Sequence, residues 1–182
     1  TGAGLLDLFS SMGSTITVAP QTINFGSGGA ETRQEIPVTL SNIGTNDDTY
    51  SLEVASLGSG PVPVLSDTSV ALAAGKSREV RVRFEGSGLA AGQYQGFVNA
   101  RSSISNSRAH IPYWYGVPSN DVDQILVADP PESGSTDSVQ ELYIRPSDAS
   151  GFAVDAPVTV SALEGGGSVS QVPQSRFFPA FW

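Results

Sequence analysis

The chain has 182 residues, of which 39% are hydrophobic and 15% charged, with a formal net charge of −9. This composition allows a packed core and differs from the highly charged composition of a disordered chain. The negative charge argues against nucleic acid or an anionic membrane surface as a partner, because both require clustered Lys and Arg. The absence of cysteine excludes disulfides, thiolate metal sites and cysteine nucleophiles. No apolar run approaches the roughly 20 residues of a membrane span, so membrane insertion is not expected.

A short helix is predicted at the start of the chain. The apolar residues of 3–12 cover one broad helical face, and Gly13 is a residue type that commonly ends helices. A helix this short is marginal on its own and needs a surface to pack on. Residues 1–13 are therefore expected to form either the terminal helix of a preceding domain or a cap on the following β-sandwich.

Beyond this helix, apolar residues recur at every second position. In the segment 78–84, Val80, Val82 and Phe84 alternate with charged residues, a period that belongs to half-buried antiparallel strands. Further strands are predicted at 16–18, 34–40, 50–54, 62–65, 69–72, 94–98 and 111–115. About seven short strands in roughly 100 residues are typical of an immunoglobulin-like or fibronectin type III sandwich. Residues 14–116 are therefore predicted to form one immunoglobulin-like or fibronectin-III-like β-sandwich.

A second unit is predicted after a linker at 117–120. Residues 1–116 carry a net charge of −2 and residues 117–182 a net charge of −7, and such a shift often marks a domain boundary. Strands are predicted at 124–128, 139–145 and 158–163. Because an Ig-like domain needs roughly 100 residues, 121–182 should form only a partial Ig-like sandwich that lacks C-terminal strands, either because the sequence is a fragment or because the unit is unusually small. Its aromatic tail, 176–182, is expected either to pack into the incomplete core or to stay exposed.

The predicted fold class is therefore all-β. Two Ig-like or fibronectin-III-like β-sandwich units follow one another in tandem after a short N-terminal helix, and the second unit is incomplete.

Reactive side chains form no recognisable catalytic group. The one histidine, His110, lies on a predicted strand, and no Gly-x-Ser-x-Gly elbow accompanies the many serines. His110 is expected on the surface or on an edge strand and not as a general base. The sequence thus predicts no catalytic, cofactor-binding or metal-binding residue, and no cofactor.

Two carboxylate pairs are the strongest metal candidates. Asp47 and Asp48 are expected in a turn whose side chains bond the local backbone. Asp121 and Asp123 follow the linker, where calcium can stiffen a domain junction, but neither pair has the Asp-x-Asp-x-Asp-Gly run of a dedicated loop. Solvated carboxylates are the favoured interpretation, and calcium at Asp121 and Asp123 is left open.

Three other features of the sequence could indicate a ligand-binding site. The glycines of 26–29 and 165–167 lack the lysine and following helix of a phosphate loop, so they are expected to be loop glycines. Trp114 could stack on sugars or peptides together with Tyr113 and Tyr115. The favoured interpretation is that both tyrosines face the core while Trp114 covers an interdomain surface.

Charged residues on the 78–84 strand are expected to pair with one another. Arg81 and Arg83 share a face with Glu79, and Glu35 or Glu53 is expected across from them. A salt-bridged outer face is therefore favoured over an anion-binding patch.

Several short motifs point to a family. Residues 2–8 read Gly-Ala-Gly-Leu-Leu-Asp-Leu, residues 18–26 read Val-Ala-Pro-Gln-Thr-Ile-Asn-Phe-Gly, and turn motifs follow at 38–44, 48–50, 74–77, 92–96 and 111–113. In order and spacing they resemble the C-terminal accessory region of bacterial subtilisin-like serine proteases (subtilases). The first motif is similar to the end of the last helix of the catalytic domain, and the second to the entry of the fibronectin-III-like domain. Residues 121–182 resemble, more loosely, a bacterial Ig-like domain, on the Asp-x-x-Gly-x-x-Val turn of 148–154.

The resemblance implies an accessory region of a secreted or cell-surface protein. The subtilase motifs that hold the catalytic Asp, His and Ser are absent, so no catalytic role transfers and the chain is not expected to be an enzyme. The implied partner is the preceding protease catalytic domain, which the region would support, space from a surface or supply with substrate. The alternative is a stand-alone cell-surface adhesion or ligand-binding Ig-like module for protein or glycan surfaces, suggested by Trp114 and the tail aromatics.

Overall fold

The computed structural model describes residues 12–128 and 138–170. The chain divides into two compact units, Thr1–Val117 (unit 1) and Pro118–Trp182 (unit 2). The predicted N-terminal helix lies outside the described residues except for its end at Met12 and Gly13, and so does the aromatic tail. Within the described ranges, no helix has the length and apolar character needed to cross a membrane.

The described part of unit 1 is all-β, as predicted. Its nine strands are β1 (Ile16–Ala19), β2 (Ile23–Ser27), β3 (Thr32–Asn42), β4 (Asp48–Ser56), β5 (Val64–Leu65), β6 (Ser69–Leu72), β7 (Ser77–Gly86), β8 (Gly92–Ser102) and β9 (Arg108–Val117). They form a four-stranded sheet, β1-β3-β7-β5, and a five-stranded sheet, β2-β9-β8-β4-β6. Neighbouring strands are antiparallel except β2 and β9, which are parallel.

The alternating pattern places one face of each sheet in a shared core. On β7, Val80, Val82 and Phe84 are buried while the residues between them face outward. β3 and β7 pair in register from Thr32–Gly86 to Ser41–Ser77, which aligns the apolar positions of the two strands. The buried residues come from both sheets, so the two inner faces pack as a β-sandwich.

Aromatic rings from both sheets meet in this core. Phe84 is fully buried, and its ring centroid lies 5.5 Å from Phe25, 5.9 Å from Tyr94 and 5.3 Å from Tyr115. Burying a side chain of this size contributes about 1.5–3 kcal/mol, and each ring pair adds about 0.5–1.5 kcal/mol. The packing of Phe84 therefore joins β7 of one sheet to β2, β8 and β9 of the other.

Strand β2 was missed by the sequence analysis. It carries only two core-facing residues, Ile23 and Phe25, and ends at Gly26 and Ser27, so its alternation is short. It pairs with β9, which lies some 90 residues later in the chain, and nothing local signals that partner. The chain enters it just after the Ala19–Pro20 peptide bond, which is cis.

Unit 2 contains a two-stranded antiparallel sheet among its described residues. Its strands are β10 (Gln124–Ala128) and β11 (Tyr143–Ser147). β10 has the bounds predicted for it, whereas β11 begins later than the predicted 139–145. The predicted strand at 158–163 was wrong: residues 154–160 alternate between half-buried and exposed, but no ladder forms there. A turn with positive φ at Gly165 and Gly166 follows this segment.

Candidate functional site

The outward side of β8 and β9 carries the aromatic and amide groups that most resemble a ligand surface. We call it the outer face: Gln95, Phe97 and Asn99 of β8 with His110 and Trp114 of β9. Gln95 lies opposite Trp114 and Asn99 opposite His110 in the antiparallel register. Pro112, opposite Phe97, lies on the same side, whereas Gly96, Val98, Ile111 and Tyr113 alternate with these residues and are buried on the core side. Strand alternation therefore directs the five side chains outward.

The rings of the outer face are held in defined positions. The Phe97 and His110 rings meet edge-to-face, with centroids 5.6 Å apart and an interplanar angle of 89°. The Trp114 indole Nε1 donates to Gln93 Oε1 at 3.4 Å. His110 is exposed and Trp114 is half-buried. The surface position predicted for His110 is confirmed, but β9 lies between β2 and β8 and is therefore not an edge strand.

The tyrosines beside Trp114 point the other way. Tyr113 and Tyr115 are buried, each about 1% exposed, which confirms that they face the core. The Tyr115 hydroxyl donates to the Gly29 carbonyl at 2.9 Å, and the Gly28 amide donates to Gly116 at 3.0 Å. The first glycine segment is thus packed against β9, with Gly26 inside β2, and is not only a loop as predicted.

A buried carboxylate lies at one end of unit 1. Asp48, 5% exposed, accepts hydrogen bonds from the Ser102 hydroxyl at 2.5 Å, the Ser103 hydroxyl at 3.0 Å and the Ser103 amide at 3.1 Å. Its own neighbour, Thr49, donates a fourth bond at 2.7 Å. Burial favours the neutral acid, but the bonds from Ser102, Ser103 and Thr49 outweigh it and hold the pKa of Asp48 below its ordinary value.

These contacts correct the prediction of a purely local turn. Asp48 bonds mainly to residues 54 and 55 positions later, and Asp47 Oδ1 accepts a bond from the Ala74 amide at 2.9 Å. The two carboxylates therefore tie the β3–β4 turn to the β8–β9 turn and to the turn after β6. The Ser102 hydroxyl donates directly to a carboxylate, with no imidazole between them, so this pair lacks the arrangement of an activated serine nucleophile.

A second buried carboxylate organises unit 2. Asp148, 1% exposed, accepts hydrogen bonds of 2.9 Å from the amides of Ser119, Ser150 and Phe152. The bond from Ser119, helped by those from Phe152 and Ser150 and opposed by burial, lowers the pKa of Asp148. Sequence reasoning placed Asp148 in a turn but missed its bond to Ser119. The Asp-x-Ser-Gly spacing predicts only the hydrogen bonds within the turn itself.

The carboxylates proposed for calcium lie nearby and are exposed. Asp121 and Asp123 use their backbone amides to bond Ser119 Oγ at 3.2 Å and the Ser147 carbonyl at 2.9 Å. Within residues 12–128 and 138–170, no three His, Asp or Glu side chains are grouped in a way that could hold a metal ion. Calcium at these two residues remains a prediction.

The charged face of the four-stranded sheet is salt-bridged, as predicted. Arg81 Nε lies 3.7 Å from both Glu35 and Glu79, and Arg83 Nε lies 3.5 Å from Glu85. Glu53 belongs instead to the other sheet, where it lies 3.8 Å from Arg101. These pairs are solvent-exposed and contribute little to stability.

No protein-family model matches this sequence, and no curated protein matches it. Among solved structures, the chain is similar to the ASH/PapD-like domain 7 of human CEP192, at 15% identity and a TM-score of 0.50, over 57% of this chain and 85% of that one. It is also similar to a chaperone–tip adhesin complex of Acinetobacter baumannii Csu pili (10% identity, TM-score 0.45, 74% and 78% covered).

A third similar structure is the secreted serine protease VesC of Vibrio cholerae, at 17% identity and a TM-score of 0.45, over 77% of this chain and 35% of that protein. The first of the three comparisons supports an immunoglobulin-like β-sandwich fold. The two weaker superpositions carry no further conclusion.

Proposed function

We propose that the chain is a non-catalytic accessory region of a secreted bacterial subtilase-like serine protease. The region consists of a fibronectin-III-like β-sandwich at 14–116 followed by a partial Ig-like unit at 121–182. It supports the preceding catalytic domain, spaces it from a surface or presents substrate to it. The β-sandwich fold supports this proposal, together with the resemblance of residues 2–8 and 18–26 to the subtilase family.

The observation that carries the proposal is how the two buried carboxylates are used. Asp48 and Asp148 each accept several hydrogen bonds from turn residues, and both are thereby committed to holding loops. A catalytic carboxylate instead orients a histidine or exchanges a proton with substrate. The hydrogen bonds around Asp48 and Asp148 thus support a structural role for these two buried carboxylates.

Hydrolysis assays test the absence of catalysis. The purified chain, incubated with casein and with a peptide ester, is expected to release no product, and a fluorophosphonate probe is expected to label no serine. Turnover that this probe abolishes, and that Ser102→Ala also removes, would contradict the proposal. Ser138→Ala, which alters a serine of unit 2, is the matched control.

Substrate presentation has its own test. Insoluble casein is incubated with the chain, and the bound fraction is compared with that on cellulose. Retention on casein alone supports presentation of protein substrate. If the chain is washed equally from casein and from cellulose, the accessory role is restricted to supporting or spacing the catalytic domain.

A second candidate function is adhesion or ligand binding through the outer face. Its observation is the set of outward rings and amides around Phe97, His110 and Trp114, which offers planar contact area beside hydrogen-bonding groups. A glycan array should then show binding that Trp114→Ala removes and that Arg33→Ala, on the other sheet, leaves intact. Binding unaffected by Trp114→Ala would reject this candidate.

A further inference from the structure

Strand β10 is apolar along most of its length and is exposed. Ile125 is 57% exposed, Leu126 42% and Val127 43%, and Gln124 and Ala128 are exposed as well. No charged residue or proline interrupts this strand, although natural edge strands commonly carry such residues to prevent pairing. β10 therefore has the character of an inner strand in an edge position.

Burial changes abruptly between β11 and β10. Val127 lies opposite Ile144 and Ile125 opposite Pro146, so these four side chains share one face of the sheet. Ile144 and Pro146 are buried, whereas their partners on β10 are about half exposed. The apolar face is thus covered at β11 and open at β10. A strand added beside β10 would cover the open part.

Among the described residues of unit 2, β10 offers the more open edge for such an addition. On the far side of β11, Ala153 forms a bridge with Ser147, and the Val154 amide donates to the Pro146 carbonyl at 3.0 Å. That side is partly occupied by the chain after the Asp148 turn. In the part of unit 2 that the structure describes, no strand pairs with the outer side of β10.

Charge selects the kind of segment that could bind there. Residues 118–182 contain nine acidic and two basic residues, and the exposed Asp121 and Asp123 lie just before β10. A second copy of unit 2 would bring the same negative charge to this edge, and like charges across a strand pair are destabilising. Lys or Arg beside the paired segment would be attracted instead.

We propose that β10 binds an extended polypeptide segment that has alternating apolar side chains and basic residues at its ends. The segment adds to the sheet as a third strand. Main-chain hydrogen bonds to β10 supply affinity, and the apolar side chains cover Ile125 and Val127. The basic ends pair with the acidic surroundings of the strand and determine which segments bind.

A labelled peptide, Lys-Val-Thr-Val-Thr-Val-Lys, tests the proposal by fluorescence anisotropy with the intact chain at low salt. Binding is expected, and replacing both lysines of the peptide by glutamate should weaken it by about tenfold or more, because attraction becomes repulsion. Rising salt should weaken the lysine peptide as well. Hydrogen exchange with and without the peptide should slow at the β10 amides and remain unchanged in unit 1.

Two lysine variants of the protein distinguish binding at the β10 edge from a general effect of added charge. Val127→Lys is expected to weaken binding by about tenfold or more, because it places a charge on the apolar face that the added strand would cover. Val122→Lys adds the same charge at a residue that is 47% exposed and precedes β10, so it should have a much smaller effect. Circular dichroism should show both variants folded, because both side chains are exposed.

The remaining outcomes overturn the proposal. They are an absence of peptide binding, an equal weakening of peptide binding by Val127→Lys and Val122→Lys, and slower amide exchange outside β10 when the peptide is present. Self-association of the chain that Val127→Lys removes, seen by sedimentation, would assign the edge to a second copy and likewise reject a basic segment as its partner.

Discussion

Units 1 and 2 both contain strands rich in apolar residues, but these strands reach different degrees of burial. In unit 1, two sheets face each other, and residues such as Phe84 and Val98 are almost completely buried. In unit 2, the described strands form one hairpin, and β10 stays exposed along its whole length. Apolar residues in a short segment thus predict a strand, but the burial of that strand depends on whether a second layer lies against it.

The two units nevertheless stabilise turns by the same hydrogen-bonding arrangement. In each, a buried aspartate accepts several hydrogen bonds from a turn, and the pKa of both Asp48 and Asp148 is lowered by these bonds. In unit 1 this arrangement supplements a large core. In unit 2 it secures the turn that leads away from β11 and fixes Ser119 to that turn.

Truncation in the unit 1 core should have the largest effect. Phe84→Ala removes a fully buried ring that contacts three others, so the free energy of unfolding should fall by about 3–5 kcal/mol. Urea denaturation followed by near-ultraviolet circular dichroism measures this loss. Val64→Ala, at a side chain that is 57% exposed, should change it by no more than about 0.5 kcal/mol. Equal losses would show that the two layers do not share a packed core.

A close approach of two strands gives the next largest effect. A Cβ at Gly96 would press against the Ala55 carbonyl oxygen and lie 2.8 Å from the Tyr113 ring, so Gly96→Ala should cost about 1–3 kcal/mol. Gly29→Ala is the matched control, because a Cβ there meets nothing within 4 Å. A thermal melt in which both variants behave alike would contradict the packing of β4 against β8.

The hydrogen bonds of Asp48 predict a dependence on pH. Because the folded-state pKa of Asp48 lies below its ordinary value of 3.8, its contribution is present above that pH and is lost as the pH falls through the lowered value. Asp48→Asn should cost about 1–3 kcal/mol at neutral pH and flatten the acid side of the stability profile. Urea midpoints across a pH series measure both effects. If the stability of Asp48→Asn fell at acidic pH as steeply as that of the unaltered protein, the carboxylate would not be bonded as described.

The corresponding change in unit 2 should be local. Asp148→Asn weakens the bonds from the Ser119, Ser150 and Phe152 amides, so hydrogen exchange at these amides should accelerate. Exchange in β7 and β8 of unit 1 should stay the same. Faster exchange throughout both units would show that Asp148 stabilises more than its own turn.

The smallest effect is expected on the salt-bridged face. Arg81→Ala removes two exposed ion pairs of 3.7 Å, and the unfolding free energy should change by no more than about 0.5 kcal/mol. Urea denaturation at low and high salt provides the check. A loss comparable to that of Phe84→Ala would reject the ranking of core over surface.

Local alternation was sufficient to predict most of unit 1. The long strands β3 and β7 were predicted because each carries three apolar residues at every second position, and β8 because Tyr94, Gly96 and Val98 continue the inward pattern. β2 was missed because its partner β9 is remote in sequence. Residues 158–163 have a strand-like pattern, but no described strand pairs with them, and ladder hydrogen bonds require a neighbour.

The site features were harder to predict than the strands. The alternation around Trp114 correctly placed Tyr113 and Tyr115 in the core. The bond between Asp48 and Ser102 spans 54 residues and depends on the register of β4 and β8, which no local motif records. The openness of β10 depends on the absence of a covering strand among the described residues, which the sequence of β10 itself does not indicate.

Hydrogen–deuterium exchange across the intact chain tests most directly whether a complete sandwich is followed by a hairpin with an open edge. The structure predicts that amides of β3, β4, β7, β8 and β9 exchange slowest, and that those of β10 and of 158–163 exchange much faster. Protection of β10 and 158–163 equal to that of β8 would contradict this account.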